Sequence, residues 1–345
     1  MLREEELTKL KETITKTSRP IVFFDDDADG LVSYLLVKQA NTEAIGYRAA
    51  RGPELTHHFI GFVNKHSPDA VLILDKPLLS EEFVQAVKTP TLWLDHHDKE
   101  AYKNLQQYQH LTYINPSVNE EKDHRPTSYW VYEATKGPLW LAAAGAISDW
   151  DETLIQELRA QHPELLQEAQ TIPEILYTTP LGEIIRVLNF CLKGSTQEIA
   201  TCVEALTKIQ TPQELLENTS KASKHIHKHV QPILQEYKKQ LSQASKETIN
   251  KGVYTYVFDN LNTSLVTNVA NELHTTTQAK ILIIGRKDKT NITFSMRSEN
   301  THLPEILSKA LTHVRGYGGG HSNACGGSIH EDDWKTFITY IQENH

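Results

Sequence analysis

Residues 20–41 read PIVFFDDDADGLVSYLLVKQAN. PIVFFD is a short apolar run of the kind a buried strand uses. It ends in an acidic turn, and DADGLVSYLLVKQAN then opens a helix, with Leu31, Tyr34, Leu35 and Val37 spaced to bury one side. Strand, acidic turn and helix in direct succession predict the first half of a βαβ unit, and hence a parallel sheet. The turn itself holds Asp25, Asp26, Asp27 and Asp29. Four carboxylates within five residues repel one another unless a cation sits among them. Hard dications such as Mg²⁺ and Mn²⁺ take oxygen ligands, and Mn²⁺ also accepts imidazole. A solvated turn shaped by Asp29-Gly30 is the competing reading of this stretch alone.

The pattern repeats outward from that stretch. AVLILD at 70–75 and TLWLD at 91–95 read as two further buried strands, and SEEFVQAVK at 80–88 as a capped helix between them. Residues 2–17 form an amphipathic pattern, and LAAAGAISDWDE at 141–152 predicts a closely packed helix ending near Asp149. In parallel sheets covered by helices, functional groups gather outside the carboxyl ends of the strands. The acidic turn, Asp75 and the triplet Asp95-His96-His97 all fall at such ends. Adjacent side chains on extended chain point in opposite directions, so His96 and His97 cannot both be ordinary core residues unless the chain turns there.

From about 152 to 247 the pattern is helical and polar, with prolines marking breaks, and 214–247 reads as one long helix kinked near Pro232. From about 250 it changes again. GVYTYVFD is β-like, SLVTNVANELH helical, and AKILIIGRK with NITFSMRSE reads as a hairpin. A helix, LPEILSKALTHV, precedes the loop RGYGGGHSNACGGS, and DDWKTFITYIQEN is a final helix. The expected organisation is a larger α/β domain over 1–213, a helical connector over 214–247 and a smaller α/β domain over 248–345. In the late loop, glycines let backbone N–H groups approach an anion, and His321 adds a donor. A flexible hinge is the alternative. Arg297 offers a fork to phosphate or carboxylate, or is simply an exposed strand arginine.

Composition bounds these readings. The chain has 345 residues, 39% hydrophobic and 23% charged, with net charge −9. That is an ordinary globular balance with room for about two domains, and it excludes a surface coated in positive charge for nucleic acid. Cys191, Cys202 and Cys325 are too few and too scattered for a disulfide framework or structural zinc, which suits a reducing compartment. The first residues lack the apolar core of a signal peptide, and no run of about 18 apolar residues occurs. The expectation is a cytoplasmic protein that does not enter a membrane.

Together these motifs resemble the DHH phosphoesterase family, in the subgroup with a DHHA1 domain that includes RecJ-like exonucleases and nanoRNases. DDDADG at 25–30, LILD at 72–75, DHH at 95–97 and SD at 148–149 stand in the order of its motifs, and GGGHSNACGG at 318–327 resembles the DHHA1 signature. The resemblance implies an N-terminal DHH domain with a mostly parallel sheet flanked by helices, a helical connector and a smaller C-terminal α/β DHHA1 domain. It implies two divalent ions, Mn²⁺ with Mg²⁺ as the alternative, held by Asp27, Asp29, Asp75, His96 and Asp149. Phe23 stands where many members have a histidine, and Asp25 is the expected replacement. The resemblance gives catalytic roles to His97, near the substrate phosphate or behind the ligands, and to Asp95, which orients a histidine. Arg297, Gly318, Gly319, Gly320 and His321 bind substrate. The implied activity is phosphodiester hydrolysis at single-stranded DNA or RNA ends or on short oligonucleotides. The acidic balance and the lack of an added OB-like domain favour short substrates. Alternatives are a phosphatase of the 3′-phosphoadenosine 5′-phosphate type, a cyclic-dinucleotide hydrolase, or a RecJ-like scaffold with replication or repair partners. The retained acids argue against the scaffold.

Overall fold

The structure, a computed structural model, describes residues 2–50, 52–97, 103–119, 121–259 and 264–345. Contacts divide the chain into two compact units, Met1–Leu192 with Thr196–His227, and Lys193–Ser195 with Lys228–His345. Among the described residues no helix is long and apolar enough to cross a membrane.

The first unit is built on five parallel strands: β1 Pro20–Phe24, β2 Ile45–Arg48, β3 Ala70–Leu74, β4 Thr91–Leu94 and β5 Leu111–Ile114. Their order is β2-β1-β3-β4-β5. All residues of β1, β3 and β4 are buried, as sheets covered on both faces require. Alternation sends Ile21, Phe23, Val71, Ile73 and Trp93 to one face, where Phe59, Val63, Phe83 and Val84 close the core. Phe24, on the other face, stacks on Tyr34 of the helix Ala28–Ala40, with ring centroids 5.0 Å apart. A Cβ on Gly145, in the helix Leu139–Ser148, would lie 2.5 Å from Ser128 Oγ and 2.9 Å from Val32 Cγ1. Glycine there lets that helix pack closely on its neighbours.

The chain leaves β1 for β2 on one side of the sheet and crosses to β3 on the other. The crevice between those diverging crossovers is the switch point where open α/β sheets bind ligands. The acidic turn follows β1, and Asp75 follows β3, so both stand at that point.

Two strands, β2 and β5, were not anticipated by the pattern. They are the sheet's edges and are only partly buried. The stretch 214–247 is not one helix: Pro212–Glu217 and Lys221–Ala244 are separate, with Pro232 inside the second.

The second unit holds β6 Val253–Phe258, β7 Ile281–Asp288, β8 Asn291–Arg297, β9 Gly316–His321 and β10 Ala324–His330, in the order β9-β10-β8-β7-β6. Only the β6–β7 pair is parallel. Ile283, Phe294, Met296, Leu307, Phe337 and Ile341 form its core. The glycine stretch expected as a loop is a hairpin: β9 pairs antiparallel with β10, Gly318 opposite Gly327 and Gly320 opposite Cys325. Side chains would block the approach, because a Cβ on Gly327 would lie 2.3 Å from Tyr317 O.

Phe23, where the resemblance implies a histidine in many relatives, is a core residue. Its ring meets Phe59, Phe83, Tyr47 and Phe62 edge-on, with centroids 5.6, 5.9, 6.0 and 6.1 Å away. Truncating such a ring leaves a cavity costing about 3–5 kcal/mol. Phe23→Ala is expected to lower the unfolding free energy by that amount in urea denaturation. A loss below about 1 kcal/mol would show that this cluster does not anchor the sheet.

Candidate metal centre

Asp25, Asp27 and Asp75 each offer a carboxylate oxygen, and these lie within 4.8 Å of one another. Asp75, His96 and His97 form a second group of the same compactness. Asp75 belongs to both. It is 1% exposed and has φ 62°, a left-handed turn that ends β3 abruptly. Such backbone costs energy in a non-glycine residue and is concentrated at functional sites. Thr127 Oγ1 donates to Asp75 Oδ1 at 3.4 Å.

His96 is oriented from behind. Its Nδ1 lies 3.2 Å from the carbonyl of His124, so Nδ1 carries the proton and donates. Its other nitrogen, Nε2, faces Asp75 Oδ1 at 3.3 Å and Asp149 Oδ2 at 3.5 Å, and in the neutral ring it carries the lone pair. A nitrogen facing two carboxylates needs a cation between them, either a proton or a metal ion. Metal-binding histidines characteristically donate their second ring nitrogen in this way. The donor set of carboxylate oxygens with one imidazole fits a hard or borderline dication.

His97 turns the other way. Its Nδ1 is 2.7 Å from Asp95 Oδ1, and Asp95 is buried. Asn115, at the end of β5, braces this pair, with Nδ2 3.3 Å from Asp95 Oδ2 and 2.9 Å from the His97 carbonyl.

Asp149 sits at the end of the helix Leu139–Ser148 and faces His96. Asp27 opens the helix Ala28–Ala40, its Oδ1 accepting the Gly30 N–H at 2.9 Å. Asp29 is engaged on one side: its two carboxylate oxygens accept the N–H groups of Thr127 and Ser128 at 2.9 and 3.0 Å, capping the helix Thr127–Thr135. The structure thus brings Asp25, Asp27, Asp75, His96, His97 and Asp149 together around the switch point. Asp29 supports them from the first turn of a neighbouring helix.

Sequence reasoning missed Lys76. It is fully buried, and its ammonium donates to Asp25 Oδ1 at 2.7 Å and to the carbonyls of Gly52 and Ala49 at 2.7 and 3.1 Å. Asp25 therefore enters the site already paired. The signal was present, since Lys76 directly follows Asp75 at the end of a buried strand. Asn115 was missed because β5 itself was not read.

In the second unit, β9 is the sheet edge and is exposed along its length. A Cβ on Gly319 would meet nothing within 4 Å. Arg297 Nε donates to Asn271 Oδ1 at 2.8 Å and its Nη1 to the Met296 carbonyl at 2.7 Å. His321 ends the exposed strand.

The crowding has an electrostatic cost. Burial, then the charges of Asp27, Asp29, Asp149 and Asp25, hold the Asp75 carboxyl well above the usual carboxylate range. Asp27 keeps an open face to water. Even so, the atoms packed behind it, then Asp25 and Asp29, push it up to about 7. Burial and Asp29 push Asp149 up to about 6, against the opposing pull of His96 and His97. At His97 burial opposes the cation, but the Asp95 hydrogen bond with the charges of Asp95, Asp149 and Asp27 outweighs it and raises the imidazole.

Residues 250–344 match the DHHA1 domain family. Among curated proteins, none matches the sequence. Solved structures share the fold. RecJ of Thermus thermophilus in complex with Mn²⁺ superimposes with TM-score 0.67 at 14% identity, over 99% of this chain and 55% of RecJ; the same protein was also solved with Mg²⁺. The chain thus spans about half the length of that RecJ. PggH from Vibrio cholerae, described as a pGpG-specific phosphodiesterase, gives TM-score 0.52 at 16% identity, over 95% of this chain and 100% of PggH. An exopolyphosphatase-related protein from Bacteroides fragilis gives 0.50 at 13%, over 99% and 96%.

The raised carboxyls set a sign for stability against pH. The unfolded chain ionises aspartates near roughly 3.9. Between there and about 7 the folded, metal-free protein holds more protons than the unfolded one, so stability falls as pH rises. His97, also raised, contributes with the same sign. With EDTA, Tm is expected to drop from pH 5.5 to 8, and the rise in Tm on adding Mn²⁺ is expected to grow over the same range (approximate limits of the window). Parallel Tm curves with EDTA and with Mn²⁺ would contradict a cation site in this cluster.

Proposed function

With a DHHA1 domain on the DHH phosphoesterase fold as the premise, we propose that the chain is a metal-dependent phosphodiesterase releasing mononucleotides from short oligonucleotides or single-stranded ends. The observation that carries this reading is His96 Nε2, oriented by the Nδ1 contact with the His124 carbonyl and facing both Asp75 and Asp149. Asp27, Asp75, His96 and Asp149 would hold divalent ions, with Asp25 at the margin because Lys76 already pairs with it. Bound ions supply charge neutralisation at a phosphate and a more acidic water.

The protein's own groups account for the remaining steps. Asp95 holds the His97 ring by its Nδ1, leaving Nε2 available, and keeps the imidazolium populated to higher pH. In this reading His97 donates a hydrogen bond to a phosphate oxygen and stabilises charge developing there. Asp29 fixes the helix that delivers Thr127 to Asp75. In the second unit, the exposed edge of β9 offers backbone N–H groups to an anion, and the open face at Gly319 leaves room for it. Arg297 and His321 are its proposed side-chain donors.

The likeness to PggH, described as a pGpG-specific phosphodiesterase, supports short nucleotide substrates, and the likeness to RecJ, described as an exonuclease, supports chain ends.

The test is hydrolysis of 5′-labelled RNA and DNA from dinucleotides to about 25-mers, a range over which exonuclease and oligonucleotidase differ, with Mn²⁺ or EDTA. Mn²⁺-dependent release of mononucleotides is expected, with Asp75→Ala losing at least about a thousandfold in kcat/KM, or about 4 kcal/mol of transition-state stabilisation. Cleavage that persists in EDTA or in Asp75→Ala would overturn the reading.

A further inference from the structure

The turn that presents Asp149 carries a residue its geometry does not select. The helix Leu139–Ser148 ends in a Schellman arrangement. Trp150 N–H donates to the Ile147 carbonyl at 3.1 Å, and Asp151 N–H to the Ala146 carbonyl at 3.0 Å. Asp149 is the C-cap, and Trp150 takes the left-handed position after it, with φ 63°. Glycine is preferred there because a Cβ crowds the following carbonyl. A bulky side chain in that region is an outlier.

Packing does not account for the tryptophan either. Trp150 is 48% exposed, whereas Trp93, Trp130 and Trp140 are 0, 3 and 5% exposed. Backbone preference disfavours the residue and the core gains little from it. Yet it directly follows the carboxylate that faces His96. An exposed indole one residue along the chain from that carboxylate can serve as a stacking surface for a planar ring, and bases stack on such rings regardless of their hydrogen-bonding pattern.

We propose that Trp150 is a nucleobase-stacking residue, binding the base of a nucleotide whose phosphate is held at the acidic cluster. The inference rests on the phosphodiesterase reading and gives it a substrate class: esters carrying a base, purine or pyrimidine, in preference to sugar phosphates or polyphosphate.

The test is Trp150→Gly, with Trp150→Phe as its conservative partner. Removing a stacking ring costs about 1–3 kcal/mol, or about five- to 150-fold in affinity. The probe is a phosphorothioate dinucleotide with Mn²⁺, followed by tryptophan fluorescence and calorimetry. In the wild type the dinucleotide is expected to quench the exposed indole. Trp150→Gly is expected to bind it at least about fivefold more weakly while its Tm rises, because glycine relieves the left-handed turn. Trp150→Phe should recover most of the binding. An abasic analogue should bind wild type and Trp150→Gly equally.

A stabilising change that weakens binding cannot come from a merely structural tryptophan. If Trp150→Gly lowers Tm, the side chain is packing the turn and the inference falls. If it binds and cleaves the dinucleotide as the wild type does, the inference falls alone and the phosphodiesterase reading stands. If the wild type neither binds nor cleaves any phosphodiester, both fall together.

Discussion

Like charges forced together at the ends of parallel strands are the constraint around which the first unit is arranged. Asp25 and Asp27 follow β1, Asp75 ends β3, and Asp149 caps a helix that closes over them. Their mutual repulsion and burial hold Asp27, Asp75 and Asp149 above the ordinary carboxylate range. The fold tolerates this because three of the four acids are held by something else: Asp75 by Thr127, Asp25 by Lys76, Asp27 by the helix N-terminus it caps. Such an arrangement is poised for cations and is least comfortable without them.

The surrounding architecture serves that cluster. Buried strands fix the positions of their carboxyl ends, and the switch point leaves a crevice between β1 and β3. Backbone carbonyls and neutral side chains then set orientation. His124 decides which imidazole nitrogen of His96 is free, and Asn115 holds the Asp95–His97 pair. Phe23 shows the same division of labour. Its ring fills the core, and Asp25 with Lys76 occupies the margin of the site.

Much of this was legible in the sequence, for physical reasons. Strands buried on both faces write themselves as unbroken apolar runs, so PIVFF, AVLIL and TLWL were readable, as were the acids that end them. Edge strands carry a weaker signal: IGYR and LTYI are half-buried and lack such runs, so β2 and β5 were invisible, and Asn115 with them. Glycine is depleted from strands, so GYGGGH read as a loop, although close approach to β10 is what demands glycine at Gly316, Gly318 and Gly320. Lys76 was hidden because lysine is almost never fully buried unless paired, and its partners lie far away in the chain. Nor does spacing reveal that Asp29 spends its oxygens on a helix N-terminus 98 residues downstream.

The most direct test of the central claim is to crystallise the protein with Mn²⁺ and record anomalous diffraction at the manganese edge. The account predicts an anomalous peak bonded to Asp75 and to Nε2 of His96. A manganese-soaked crystal with no peak there, and with His96 Nε2 still facing the two carboxylates, would contradict it.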